Sequence, residues 1–320
     1  MTPVTYDEVR RATERIAGLV RRVAVVPAAD AGDGPEVFLA LEFLQHTGSF
    51  KARGARNFLR AHAESGTLPE AGVTIASGGN AGLACAWAAR EQGVRATVFL
   101  PETAPRVKVD RLRGYGADVR LVGTEYAEAL AACEAFAAGS GALASHAYDH
   151  PLVAAGAGTL MEEIHRAVPG LDTVVVSVGG GGLFAGVAAA AGHHGVRTVA
   201  VEPENCRALH AALAAGGPVD VPVDSVAADS LGARRASAAA VHAARRSGVH
   251  SVLVPDAEIV RARRALWDTH RLAVEHAAAT AYAALTAPGP DYRPAPGEKV
   301  CVVLCGANTD PSDLAAAPGR

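Results

Sequence analysis

Short runs of β-branched residues alternate with alanine-rich stretches of helical period along most of the chain. Strands are predicted at residues 37–41, 73–76, 96–100, 118–122, 173–178, 198–201, 251–254 and 300–304, with helices between them. Such alternation of β and α units builds mainly parallel sheet covered by helices, and eight strands are too many for one small sheet. At the front, "MTPVTYDEVRRATERI" has no apolar signal core, and Thr5 followed by Glu8 reads as a capping box that opens an amphipathic helix. The stretches "APGPDYRPAPGE" and "AAAPGR" read as a surface loop and a fraying end.

Ligands of open α/β sheets gather beyond the carboxyl ends of the strands. Three loops stand at such ends: "SGGNAG" at 77–82, "GGGGL" at 179–183 and "CGANTD" at 305–310. Composition narrows what they could bind. A chain of 320 residues, 50% apolar and 20% charged, is long enough for one large domain or two medium ones. A net charge of -3 without a run of like charge gives no footprint for nucleic acid or an anionic membrane, and no apolar stretch reaches the length of a membrane span. A small-molecule partner is therefore expected. Five cysteines, with no Cys-x-x-Cys among them, fit reduced thiols and a cytoplasmic location. The paired His193 and His194 lack the spacing of a zinc site, and no G-x-S-x-G elbow is present.

Gly179, Gly180, Gly181 and Gly182 separate "TVVVSV" from "LFAGVAAA". A bare-backbone turn that opens a helix offers N–H groups and a dipole to an anion, phosphate above all. A turn without a ligand would need only one or two glycines. Gly180, Gly182 and Ala185 also satisfy a dinucleotide fingerprint, with Glu202 ending the next strand. An NAD-dependent dehydrogenase is thus a competing reading, but it leaves Lys51 and the 77–82 loop without a role. In that loop Ser77, Gly78 and Gly79 leave backbone donors open before Asn80 and Ala81 begin a helix. The loop suits a carboxylate, unless Asn80 merely caps the helix. Lys51, in "TGSFKARGARNFL", follows Phe50 and opens a helix, where neither the ring nor the dipole favours an ammonium. A place that is poor for charge suits a nucleophile. An amine together with a phosphate cradle suits pyridoxal phosphate held as a Schiff base.

"TGSFKARGA", "SGGNAG", "GAGT", "GGGGLFAG", "VEPE" and "LCGAN" occur in the order seen in the fold type II pyridoxal-phosphate (PLP) enzymes. From about residue 37 to 308 the chain most resembles their serine/threonine dehydratase (ammonia-lyase) branch, with serine racemase as a close relative. The resemblance implies a two-domain α/β fold of the tryptophan synthase β type. Residues 1–51 and 150–320 would form a large cofactor-binding domain, and 52–149 a small mobile one. It further implies that Lys51 is the Schiff-base lysine and catalytic base, that Phe50 packs beside the pyridine ring, and that Asn80 bonds the ring hydroxyl. Gly179, Gly180, Gly181, Gly182 and Leu183 would hold the phosphate. Ser77, Gly78, Gly79, Asn80 and Ala81 would hold the substrate carboxylate, and Cys305 would face the ring nitrogen, although a cysteine ending a core strand is commonly a buried hydrophobe.

The implied reaction is β-elimination of a small β-hydroxy amino acid such as serine or threonine to a 2-oxo acid and ammonia, by a cytoplasmic homodimer. Departures from the family pattern sharpen this. Racemases carry a second serine where this chain has Gly78, so one-sided proton chemistry is expected. β-Replacement or racemisation of a serine-like amino acid, and a cofactor-binding protein without turnover, are the alternatives within the family. A monovalent cation such as K⁺ is expected near Glu202, Cys206, Leu231 and Ala233, because one carboxylate with carbonyls suits a large, weakly charged ion; an ordinary ion pair of Glu202 is the other reading. Glu275 resembles the glutamate near the ring, while His276 beside it is unusual and either changes substrate size or does nothing. With little chain beyond Asp310, no appended regulatory module is expected.

Overall fold

A computed structural model describes residues 3–28, 34–287 and 292–315. Ten strands form two sheets among these residues: β1 (Val25–Pro27), β2 (Glu36–Ala40), β3 (Val73–Ala76), β4 (Ala96–Leu100), β5 (Asp118–Leu121), β6 (Leu143–Ala144), β7 (Thr173–Ser177), β8 (Arg197–Pro203), β9 (Val249–Val254) and β10 (Lys299–Val303). The larger sheet runs β1-β2-β10-β7-β8-β9 and the smaller β5-β4-β3-β6. Every pairing is parallel except β1 with β2. All eight predicted strands are present, with ends shifted by a residue or two. The two that periodicity does not predict are β1 and β6, which are short, incompletely buried and at sheet edges. β1 carries Pro27, which an edge tolerates because it need not donate to a further strand.

Central strands read as continuous apolar runs because helices cover both faces of a parallel sheet. β3, β4 and β7 are buried at every position. Between the sheets lies the helix Lys51–Glu64, which packs on the Asn80–Arg90 helix on one side and on the Pro151–Ala167 helix on the other. The "GAGT" glycines let two helices approach theirs: a Cβ on Gly158 would lie 2.6 Å from the Gly186 carbonyl oxygen of the helix Gly182–His193, and one on Gly156 would lie 2.8 Å from the Arg53 carbonyl oxygen where the Lys51 helix crosses. Arg53, wholly buried, holds the same crossing. It donates to both oxygens of Glu42, at 2.7 and 3.0 Å, and to both of Glu163, at 2.9 Å each.

The capping box forms, with Thr5 N donating to Glu8 Oε2 at 2.8 Å and Glu8 N to Thr5 Oγ1 at 3.3 Å. Five free cysteines are all buried. Among the described residues no helix is long and apolar enough to cross a membrane. One expectation needs correction: the segment predicted as a surface loop includes Tyr292, which is buried and donates its hydroxyl to Glu298 Oε1 at 2.6 Å. A proline-rich string hides such an anchor, because its partner Glu298 is held beside β7, where Thr173 Oγ1 also donates to it at 2.7 Å, and no local period marks that. Residues 288–291 of that segment, and 316–320 of the predicted fraying end, lie outside the described residues.

Candidate active site

Two 3-10 turns, Glu42–Leu44 and His46–Gly48, lead from β2 into the Lys51 helix. Thr47 and Gly48 both have left-handed φ, 67° and 75°; for the threonine this costs of order 1–3 kcal/mol. The loop after β10 holds the turn. Asn308 Nδ2 donates to Thr47 O at 2.7 Å, and Ala307 N donates to Gly48 O at 3.0 Å. A Cβ on Gly48 would come within 2.8 Å of Asn308 Oδ1, so glycine lets the two loops meet. Ser49 then bridges Gly306, and Phe50 N donates to Cys305 O at 2.9 Å, which sets Lys51 at the carboxyl end of β10.

Lys51 Nζ donates to the Ala147 carbonyl at 2.7 Å and stands 4.8 Å from the centre of the Phe50 ring. Burial lowers its pKa to about 8, against the opposing pull of Cys305 and Glu275. The amine is therefore far more often neutral than an exposed lysine would be.

Lys51 opens into a cavity of about 760 Å³ at the carboxyl ends of both sheets. It takes in every residue predicted for cofactor or substrate: Phe50, Lys51, Ser77, Gly78, Gly79, Asn80, Ala81, Gly179, Gly180, Gly181, Gly182, Leu183 and Cys305. Asn80 does not cap its helix; Gly79 occupies that place, without a side-chain bond. Asn80 Nδ2 instead donates to both oxygens of Glu275, at 2.8 and 3.0 Å, and its Oδ1 accepts from Asn308 Nδ2 at 2.6 Å. Burial raises the Glu275 pKa, although the bonds from Asn80 and the Asn308 amide work against it.

Gly181 caps the Gly182–His193 helix with φ 91°. The glycine loop is tightly packed: a Cβ on Gly180 would lie 2.3 Å from the Tyr148 ring, and one on Gly181 would lie 2.3 Å from Ala240 Cβ. Among the described residues, no protein group accepts a hydrogen bond from the amides of these four glycines. Cys305 Sγ lies 3.6 Å from Ser177 Oγ, and burial pushes its thiol up to about 12, so it is neutral. A partly buried amine of lowered pKa, a helix N-terminus with uncommitted amides and a neutral thiol within one cavity fit the aldehyde, phosphate and ring nitrogen of pyridoxal phosphate.

Gly78 shows what fills the space facing the 77–82 loop. A Cβ there would come within 2.7 Å of Leu100 Cδ2, so an aliphatic side chain occupies what a residue at this position would use. Glu202 and Cys206 lie outside the cavity, whereas Leu231 and Ala233 line it. The two Glu202 oxygens accept from Leu209 N at 2.7 Å and His210 N at 2.8 Å, and burial raises its pKa to about 7. Cys206 Sγ donates to Leu231 O at 3.1 Å. Among the described residues Glu202 makes no ion pair, and with both oxygens held by helix amides it offers no free carboxylate for a ribose, which removes the acidic partner of the dinucleotide reading. His276 is not among the cavity residues; its pKa, lowered first by burial, also responds to Arg263, Asp313 and Asp256 on the far side of its helix.

Asn308, Tyr148, Lys108 and Arg111 also line the cavity and carried no role in the sequence reading. Asn308 was signalled by its motif alone. Lys108 and Arg111 sit on the Arg106–Gly114 helix among other charges, where nothing local distinguishes them from a solvated face.

The family model described as "Pyridoxal-phosphate dependent enzyme" matches residues 17–306. The chain is 36% identical over 309 residues to an L-threonine ammonia-lyase of Geobacter sulfurreducens, covering 95% of this chain and 76% of that one. It is 37% identical over 289 residues to a human protein named serine dehydratase-like, covering 86% of each. Among solved structures, maize serine racemase superposes with a TM-score of 0.89 at 28% identity, over 98% of this chain and 96% of that one. Sequence, fold and cavity thus lead to one conclusion: the chain belongs to the pyridoxal-phosphate dependent enzyme family.

Proposed function

We propose that the protein is a PLP-dependent ammonia-lyase that eliminates water from a β-hydroxy amino acid and releases a 2-oxo acid and ammonia. The observation that carries this reading is Lys51, a partly buried amine of pKa about 8 opening into the same cavity as the uncommitted glycine amides. When bound, the cofactor supplies an electron sink that acidifies the α-C–H of the amino acid. The amides of Gly179, Gly180, Gly181 and Gly182 would hold its phosphate, Asn80 its ring hydroxyl, and Cys305 its ring nitrogen.

Lys51 Nζ takes the α-proton. The amides at Ser77 to Ala81, at the start of a helix, orient the substrate carboxylate. Hydroxide leaves from Cβ with a proton as water; the freed enamine then takes up water and loses ammonia. A neutral thiol at Cys305 cannot hold a proton on a ring nitrogen as a carboxylate would, which favours fast elimination over a long-lived carbanion. Leu100 against Gly78 puts no acid or base on that face, which disfavours racemisation.

The smaller sheet with its helices, residues 52–149, would close on the rest and expel water during the reaction. The reading further places the protein in the cytoplasm as a homodimer; five buried, unpaired thiols support a reducing compartment. A monovalent cation on the Leu231 and Ala233 carbonyls would displace the Cys206 thiol from Leu231, and rates in K⁺ against tetramethylammonium test it.

The purified protein is expected to absorb in the visible through its bound cofactor and to release ammonia from serine or threonine. Lys51→Ala is expected to remove that absorbance and lower ammonia release at least about a thousandfold. A colourless wild-type protein that binds a nicotinamide dinucleotide would overturn the reading.

A further inference from the structure

Past Gly78 the cavity extends along the loop after β4 and the first turn of the helix Tyr126–Ser140. Leu100, Pro101, Ala104, Tyr126 and Leu130 line it there, an apolar wall in which Tyr126 is 58% exposed and Leu130 only partly buried. A hydroxymethyl side chain would leave such a wall wet, whereas an apolar group laid on it would gain by taking both surfaces out of water.

Cations stand nearby, and three of them face carboxylates while Arg111 faces the neutral amide of Asn308. Lys108 donates to Asp229 at 2.7 Å, Arg111 to Asn308 Oδ1, and Arg235 to Asp220 at 2.7 Å, while Arg234 also acts on the Asp220 carboxyl. A second acidic group on the substrate would compete with Asp229 for Lys108 and with Asp220 for Arg235. An apolar group would displace only water. Placement agrees: β3 and β4 are neighbours, so a substrate anchored by its carboxylate on the loop after β3 has the loop after β4 beside it, with Leu100 already against Gly78.

We propose that the preferred substrate is a 3-hydroxy amino acid with an aryl or similarly bulky apolar group on Cβ, and that Tyr126 and Leu130 select it by covering that group. The proposal rests on the β-elimination reading. Overall, 3-phenylserine loses its α-hydrogen and β-hydroxyl as water, and the enamine then takes up water to give 3-phenyl-2-oxopropanoate and ammonia.

The test is to measure kcat/KM of the cofactor-loaded protein for L-threo-3-phenylserine, L-threonine, L-serine and 3-hydroxyaspartate under one condition, in wild type and in Tyr126→Ala. Wild type is expected to favour phenylserine over serine by at least about tenfold. The variant is expected to lower that ratio at least about tenfold, chiefly through KM for phenylserine. Its cofactor absorbance reports an intact site, since Tyr126 is largely exposed. Preference for serine, threonine or 3-hydroxyaspartate, or an unchanged ratio in Tyr126→Ala, overturns the specificity while leaving elimination in place. Absence of cofactor absorbance and of ammonia from all four overturns elimination and the specificity together.

Discussion

Lys51 and Gly78 make opposite use of burial. The lysine gives up part of its charge because the ammonium is desolvated against Phe50 and the loop before the Pro151–Ala167 helix. If about 8 is its free-amine pKa, capture of added pyridoxal phosphate by cofactor-free protein should accelerate with pH, about tenfold per unit below 8, then level off above it. The sign follows because only the neutral amine attacks and raising the pH produces more of it. Growth of visible absorbance after stopped-flow mixing measures this, and a profile still rising at pH 10 would mean an unperturbed lysine. At Gly78 the neighbour is the far end of a leucine, which can turn aside. Gly78→Ser should therefore fold at a cost of no more than about 1–3 kcal/mol and gain measurable racemisation of serine at the expense of elimination. Chiral analysis of recovered substrate reads the gain; elimination with no racemisation in a folded variant would refute the role given to this face. Both residues were legible in the chain through their motifs, but Leu100 as the occupant opposite Gly78 was not, since the two are 22 positions apart and meet only through strand pairing.

Arg53 decides how firmly the Lys51 helix is held. Its guanidinium joins the 3-10 turn at Glu42 to the Pro151–Ala167 helix at Glu163, with no exposed surface of its own. Truncation leaves two carboxylates without their partner, and Arg53→Ala should destabilise by about 3–5 kcal/mol. Arg60→Ala on the same helix removes only an exposed pair with Glu64 at 3.5 Å and should cost less than about 1 kcal/mol. Urea midpoints of the two variants test the contrast, and similar midpoints would deny Arg53 its anchoring role. Periodicity marked this helix, yet an arginine two residues after the lysine reads as solvated until the partners 11 and 110 positions away are brought to it.

Across the whole molecule, bonds span the cavity from the smaller sheet's helices to the larger sheet's loops: Asn80 to Glu275, Arg111 to Asn308 and Lys108 to Asp229. If residues 52–149 close as a unit, 2-methylserine, which lacks an α-hydrogen and cannot be eliminated, should slow amide exchange in β3, β4 and the Arg106–Gly114 helix. Mass-detected hydrogen exchange with and without this ligand checks it; unchanged exchange there would remove closure from the mechanism. The eight strands, the three strand-end loops, the lysine and the cofactor class followed from sequence alone, because β-branched runs, glycine loops and helix starts are local signals. Tertiary structure alone decided that Asn80 serves Glu275 and Asn308 rather than its own helix, that Tyr292 is buried, and that Glu202 caps a helix with both oxygens. It also decided which side chains beyond the motifs line the cavity. The physical reason is that burial and hydrogen-bond partners depend on which segments the sheets bring together, and a polar side chain carries no local mark of the partner that satisfies it.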